Sequence, residues 1–195
     1  MRKFLIIAMA LFPLLSISQE RGEVSLSVSK SENDMFYFTP LVGAGSHNGN
    51  GGYGVSIGYS TPLNGWLMFQ TGLDFGYHTF TIEPAFVDPR IDVLAPKESM
   101  FLTSIPIGLR VNFLKYFYIN AHTLIDIDFN QAQYLHDQTG LGAQLAIGFN
   151  YRFKQGFGVP LSPFLGIHSI VPFSLSNNHR RLFESGLKLG VLYKL

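Results

Sequence analysis

Residues 139–153 read TGLGAQLAIGFNYRF, and every odd position from Leu141 to Phe153 is apolar. The even positions hold Gly140, Gly142, Gln144, Ala146, Gly148, Asn150 and Arg152. Strict period-two alternation of this length marks a strand with two chemically different faces. The pattern recurs along the chain. It predicts eight strands, at about 35–45, 52–60, 66–79, 100–113, 116–129, 138–153, 160–172 and 182–195. Tyr53, Val55, Ile57 and Tyr59 face away from Gly52, Gly54, Ser56 and Gly58. Leu187, Leu189, Val191 and Tyr193 face away from Gly186, Lys188, Gly190 and Lys194. The first and seventh strands are interrupted by Pro40, Pro160, Pro163 and Pro172.

The charges in these segments are Asp74, Arg110, Asp126, Asp128, Arg152, Glu184, Lys188 and Lys194, all on the glycine-bearing face. A soluble barrel would turn that face to water and the apolar face inward. A membrane barrel would do the reverse. Three features favour the membrane. The polar face is rich in Gly, Ser and Ala, which suits a crowded interior. Strands of about 10–14 residues, tilted near 45°, match the apolar height of a bilayer. The connections alternate in length, short after the second, fourth and sixth strands and longer after the third, fifth and seventh. Phe113, Tyr116, Phe117, Tyr151, Phe153 and Tyr193 collect at the short-turn end, as an aromatic girdle would. The glycines are expected to leave room in a narrow lumen filled from the opposite wall.

The N-terminus MRKFLIIAMALFPLLSISQE has a basic start, an apolar run from Phe4 to Leu15 and small residues at Ser16 and Ser18. This is the pattern of a cleaved secretory signal peptide, residues 1–18. Without Arg2 and Lys3 the chain holds 12 Lys+Arg against 13 Asp+Glu. No basic balance remains to suggest nucleic acid. Cysteine is absent, which excludes disulfides and thiol chemistry. Residues 19–34 are polar and read as a periplasmic leader segment before a barrel at 35–195.

The stretches LMFQTGLDFGYHTF (67–80), FLTSIPIGLRVNFLKYFYINA (101–121) and ESGLKLGVLYKL (184–195) resemble the PorT-like outer-membrane β-barrel proteins. Ile105-Pro106 and the segment from Tyr118 to Ala121 carry the likeness most clearly. The resemblance implies a small eight-stranded barrel of a bacterial outer membrane. Such barrels usually end in an aromatic residue that the barrel-assembly machinery reads. This chain ends in Leu195, with Tyr193 two positions earlier.

Six histidines are the obvious candidates for chemistry: His47, His78, His122, His136, His168 and His179. His168 and Ser169 are strand neighbours and point to opposite faces, His168 to the lumen and Ser169 to lipid, so the pair cannot form a dyad. His78 and His122 also face inward. Asp74, Asp126, Asp128 and Glu184 fall toward the loop end. Arg110, Arg152 and Lys194 fall toward the turn end, with Lys188 between. No catalytic, cofactor-binding or metal site stands out. The loop 80–99, with Ile82, Phe86, Val87, Ile91, Val93 and Leu94, is the best candidate for a partner surface.

The expectation is an all-β, eight-stranded antiparallel up-and-down transmembrane β-barrel following a cleaved signal peptide. Its role is structural or surface interaction, with a plugged lumen and no cofactor. Its partners are outer-membrane lipids, the assembly machinery through the C-terminal strand, and an extracellular or envelope protein through loop 80–99. The alternatives are a lipid-modifying outer-membrane enzyme and a soluble exported lipocalin-like ligand-binding barrel.

Overall fold

The structure, a computed structural model, describes residues 22–38, 46–83, 96–129, 135–174 and 180–195. The expected signal peptide lies outside the described residues. The strands are β1 (Glu23–Phe36), β2 (Ser46–Pro62), β3 (Leu67–Glu83), β4 (Lys97–Phe113), β5 (Phe117–Asp128), β6 (Gly140–Arg152), β7 (Phe157–Pro172) and β8 (Arg181–Lys194). Each pairs antiparallel with its chain neighbours. β1 closes on β8 from Glu23↔Lys194 to Phe36↔Arg181, completing a closed barrel. Closure removes every sheet edge, which a spanning sheet requires in lipid.

One strand was misplaced by the sequence pattern. Residues 23–36, mostly expected as a leader, form β1, and of the strand expected at 35–45 residues 39–45 lie outside the described residues. Val24, Leu26 and Val28 point outward and alternate with Ser25, Ser27 and Ser29. The serines make the segment look polar, yet they are the inner face of a thin wall. Glycines on both neighbouring strands accommodate them: a Cβ at Gly54 would meet the Ser29 hydroxyl at 2.5 Å, and one at Gly190 would meet the Ser27 Cβ at 2.7 Å. Charge segregation also fails on this strand, because Lys30, Glu32 and Asp34 point outward at its loop end.

The outer surface is apolar. Leu26, Val28, Ile57, Leu145, Ile147, Leu165, Leu189 and Val191 are each about half exposed. Turning this face outward excludes a soluble lipocalin-like barrel, whose apolar residues would line the inside. Aromatic rings border the belt. At the turn end Tyr116, Phe117, Phe149, Tyr151 and Phe153 form a chain of ring contacts, with centroids 5.1–6.1 Å apart. Phe157 and Tyr193 continue it at 4.8 Å. Tyr53, Tyr77, Phe101 and Phe129 lie toward the loop end. From Phe117 to Phe129 the chain advances about 40 Å, or about 28 Å across the bilayer at a tilt near 45°.

Short connections and both described chain ends share one rim. Asn64 caps the β2–β3 turn through its side-chain oxygen, which accepts from Trp66 N and Leu67 N at 3.0 and 2.8 Å. Gly156, with φ +87°, closes the β6–β7 turn. Opposite this rim, β3 and β4 pair beyond the belt as far as Thr81↔Lys97, so part of the 80–99 loop is strand. Residues 84–95 lie outside the described residues.

Candidate functional site

The eight strands enclose a polar lumen, and its chemistry is stacked in tiers. The loop-end tier is apolar. Phe80 from β3, Met100 and Leu102 from β4, and Leu182 from β8 are all almost fully buried, with Leu135 from the β5–β6 connection on top. Gln138, wholly buried, ties the connections above this seal. Its amide donates to the carbonyls of His136 and Arg180, both at 2.9 Å, and its side-chain oxygen accepts from Leu182 N at 2.9 Å. Arg180 reaches Tyr37, and its guanidinium lies 2.6 Å from His47 Nε2. Its backbone N–H donates to His136 Nδ1 at 2.9 Å.

Directly beneath lies a buried polar cluster. Asp126 has no exposed surface. It accepts from the Ser104 hydroxyl at 2.6 Å, from His168 Nδ1 at 3.0 Å and from Ser169 N at 3.2 Å. His168 Nε2 lies 3.1 Å from Glu184 Oε1. A ring with a carboxylate oxygen at each nitrogen is best held as an imidazolium donating from both. It then has no lone pair with which to accept a proton. Gly142 makes the cluster possible, since a Cβ there would meet Asp126 Oδ2 at 2.6 Å and the His168 Cα at 3.1 Å. His78 is buried beside it, its ring centroid 6.4 Å from that of His168.

Ser169 corrects a sequence expectation. It was expected to face lipid, but it is fully buried, with φ +50°. The β6–β7 register runs Leu141↔Val171 and then Ala143↔Ile167, so β7 carries a bulge here. The bulge turns the Ser169 amide inward onto Asp126. The hydroxyl is still no nucleophile for His168, whose two nitrogens are occupied.

The middle tier crosses the lumen. Lys188 on β8 pairs with Asp74 on β3 at 3.0 Å, over the thin wall of β1. Gln70 lies 3.2 Å from His122 Nε2 and donates to Ser60 Oγ at 2.8 Å. The bare face of β6 is covered from the side rather than from the opposite wall: Tyr118 of β5 lies over Gly148, its direct cross-strand partner, where a Cβ would penetrate the ring.

At the turn end the tier is open. Glu23 forms a 2.6 Å pair with Arg152 and stands 3.9 Å from Arg110. Arg110 stacks on Tyr118, its guanidinium carbon 3.9 Å from the ring centroid. A vestibule of about 350 Å³ opens here, bordered by Glu23, Arg110, Lys115, Arg152 and Lys194. Smaller polar cavities of about 80 and 90 Å³ lead inward past Lys188.

The expected polarity of lumen charge holds in part: Asp74, expected with the other acids at the loop end, lies in the middle tier against Lys188, and the acid Glu23 joins the bases at the turn end. Asp126, Asp128 and Glu184 stand at the loop end, whereas Arg110, Arg152 and Lys194 stand at the turn end. Glu23 was missed because its strand was. His78, His122 and His168 point inward as expected, and His179 lies outside the described residues. Among the described residues, no group of three or more His, Asp or Glu is arranged to hold a metal.

No protein-family model and no curated protein sequence matches the chain. Solved structures do. The outer-membrane protein OprG from Pseudomonas aeruginosa superposes with a TM-score of 0.57 at 10% identity, over 90% of this chain and 96% of that one. The outer-membrane protein AlkL, determined in lipid bilayers, gives 0.53 at 12% identity, over 91% and 90%. At such identities the likeness is one of fold. Together with the apolar belt and polar lumen, it defines the class: this is a small eight-stranded β-barrel of the bacterial outer-membrane type.

Proposed function

We propose that this barrel serves a structural or surface-interaction role and neither conducts nor catalyses. The loop-end seal of Phe80, Met100, Leu102 and Leu182 carries the reading, because it closes the lumen above the hydrogen-bonded cluster of Asp126, His168 and Glu184. An eight-stranded barrel is just wide enough for its own side chains to fill. A non-catalytic role is supported by His168, which is held between two carboxylates and offers no base to a neighbouring hydroxyl. The finer assignments rest on sequence. Membership of the PorT-like family rests on segments 67–80, 101–121 and 184–195. Recognition by the assembly machinery is assigned to the strand ending at Tyr193 and Leu195, and partner binding to the β3–β4 loop.

Planar-bilayer recording of the purified barrel tests the seal: only baseline current is expected, and stable, large single-channel steps would overturn the reading. Deleting residues 84–96 tests the loop. A folded barrel with an altered envelope phenotype is the expected outcome. An unchanged phenotype removes the loop from the account.

A further inference from the structure

The turn-end vestibule has more positive charge than its own carboxylate can answer. Its border holds Arg110, Lys115, Arg152 and Lys194 against Glu23. Glu23 gives Oε1 to Arg152 at 2.6 Å, leaving Arg110 an ion pair at 3.9 Å, beyond hydrogen-bond length. Arg110 is only 4% exposed, and its Nε–H has no partner. A buried guanidinium without full pairing is costly. It is held instead by the face of Tyr118, which fixes the plane of the fork while leaving donors unused. The volume of about 350 Å³ is that of a small-ligand pocket.

We infer that this vestibule is a binding site for the anionic group of a periplasmic ligand, a phosphate or a carboxylate, taken by Arg110 and Arg152 with Lys194 on the rim. Arginine forks suit both anions, because two parallel N–H donors match two oxygens of either. Glu23 holds Arg152 at the mouth and leaves the Arg110 donors for the incoming group. The site faces the periplasm because short turns of such barrels do. The loop-end seal keeps it from the cell exterior.

The test is NMR of the Arg110 Nε–H in the purified, folded barrel. Three probes are compared: inorganic phosphate and succinate with the protein in maltoside, and nanodiscs of phosphatidylcholine with or without phosphatidylglycerol. A saturable shift with phosphate or succinate is expected if the anion is soluble. A shift only with phosphatidylglycerol assigns the site to a lipid headgroup. Arg152→Gln and Lys194→Gln lie on the open rim and should fold, as heat-modifiable gel mobility will show. Arg152→Gln should weaken binding by about tenfold or more, the loss of a charge-assisted hydrogen bond. No saturable shift with any probe overturns the inference, as does unchanged affinity in both rim variants.

Discussion

The two ends of the lumen solve the same problem in opposite ways. At the loop end, buried charge is held by hydrogen bonds: Asp126 collects three donors, and His168 spends both ring nitrogens on carboxylates. An apolar layer then shuts the cluster off. At the turn end, two arginines share one glutamate beside an open vestibule. A closed cluster gains rigidity from low dielectric, and an unmatched one retains the capacity to bind. In this barrel the loop end is built for stability, and the anion site inferred above belongs to the turn end.

The largest effect should come from breaking the closed end. Asp126→Ala leaves the Ser104 hydroxyl, the Ser169 amide and one nitrogen of His168 without their acceptor. Removing one partner of a buried pair costs about 3–5 kcal/mol. Urea unfolding of the refolded barrel should show that loss. A cost below 1 kcal/mol would mean that the cluster is not closed as described. Next in size is a change on the lipid face. Leu145→Arg near the membrane midplane should cost about 2–4 kcal/mol in lipid vesicles. Tolerance of that charge would place the outer belt outside the bilayer.

A smaller effect separates the two faces of β6. Gly148→Ala adds one methyl against the Tyr118 ring, which is itself held by Arg110. Overpacking of this kind costs about 1–3 kcal/mol. The same unfolding measurement checks it, and no cost would show that Tyr118 can swing clear. Arg152→Gln, on the open rim, belongs lower still, at about 0–1 kcal/mol, because its pair with Glu23 is partly solvated. If it rivals Asp126→Ala, the contrast between the ends fails.

How far these tiers could be read in advance follows from which residues carry a periodic signal. β2 to β8 were legible because Leu, Ile and aromatic residues alternate with Gly, and the inward aim of Asp74, Asp126, Arg110 and Arg152 followed from phase alone. β1 was not, because its inner face is serine and its outer face turns to Lys30, Glu32 and Asp34 beyond Val28. The alternation Val24, Leu26, Val28 was present but too short to outweigh that polarity. The burial of Ser169 had no signal at all, since a bulge is a property of backbone dihedrals and shifts the side chain without changing the residue. The His168 contacts were hidden for a similar reason. Asp126 and Glu184 lie 42 and 16 residues away, and only the pairing of β5 to β8 in register brings them together.

The smallest predicted effect lies above the seal, where the loop end depends on pH. His136, in the β5–β6 connection, accepts the Arg180 N–H through Nδ1 at 2.9 Å, so it works as a neutral ring. Burial pushes its pKa below the ordinary histidine value of 6.5. The unfolded loop therefore binds a proton at a higher pH than the folded loop does. The stabilisation from the neutral ring is fully present above pH about 6.5 and is lost as pH falls through the lowered folded value. The contact of the Arg180 guanidinium with His47 belongs to the same tie. Amide exchange at Arg180 should accelerate on acidification below pH 6.5, while exchange at Ser169, bonded to Asp126 beneath the seal, should follow a different profile. Replacing His136 with Gln keeps an acceptor that cannot take a proton near neutral pH. It should flatten the Arg180 profile, and an unchanged slope in that variant would assign the pH response to another group.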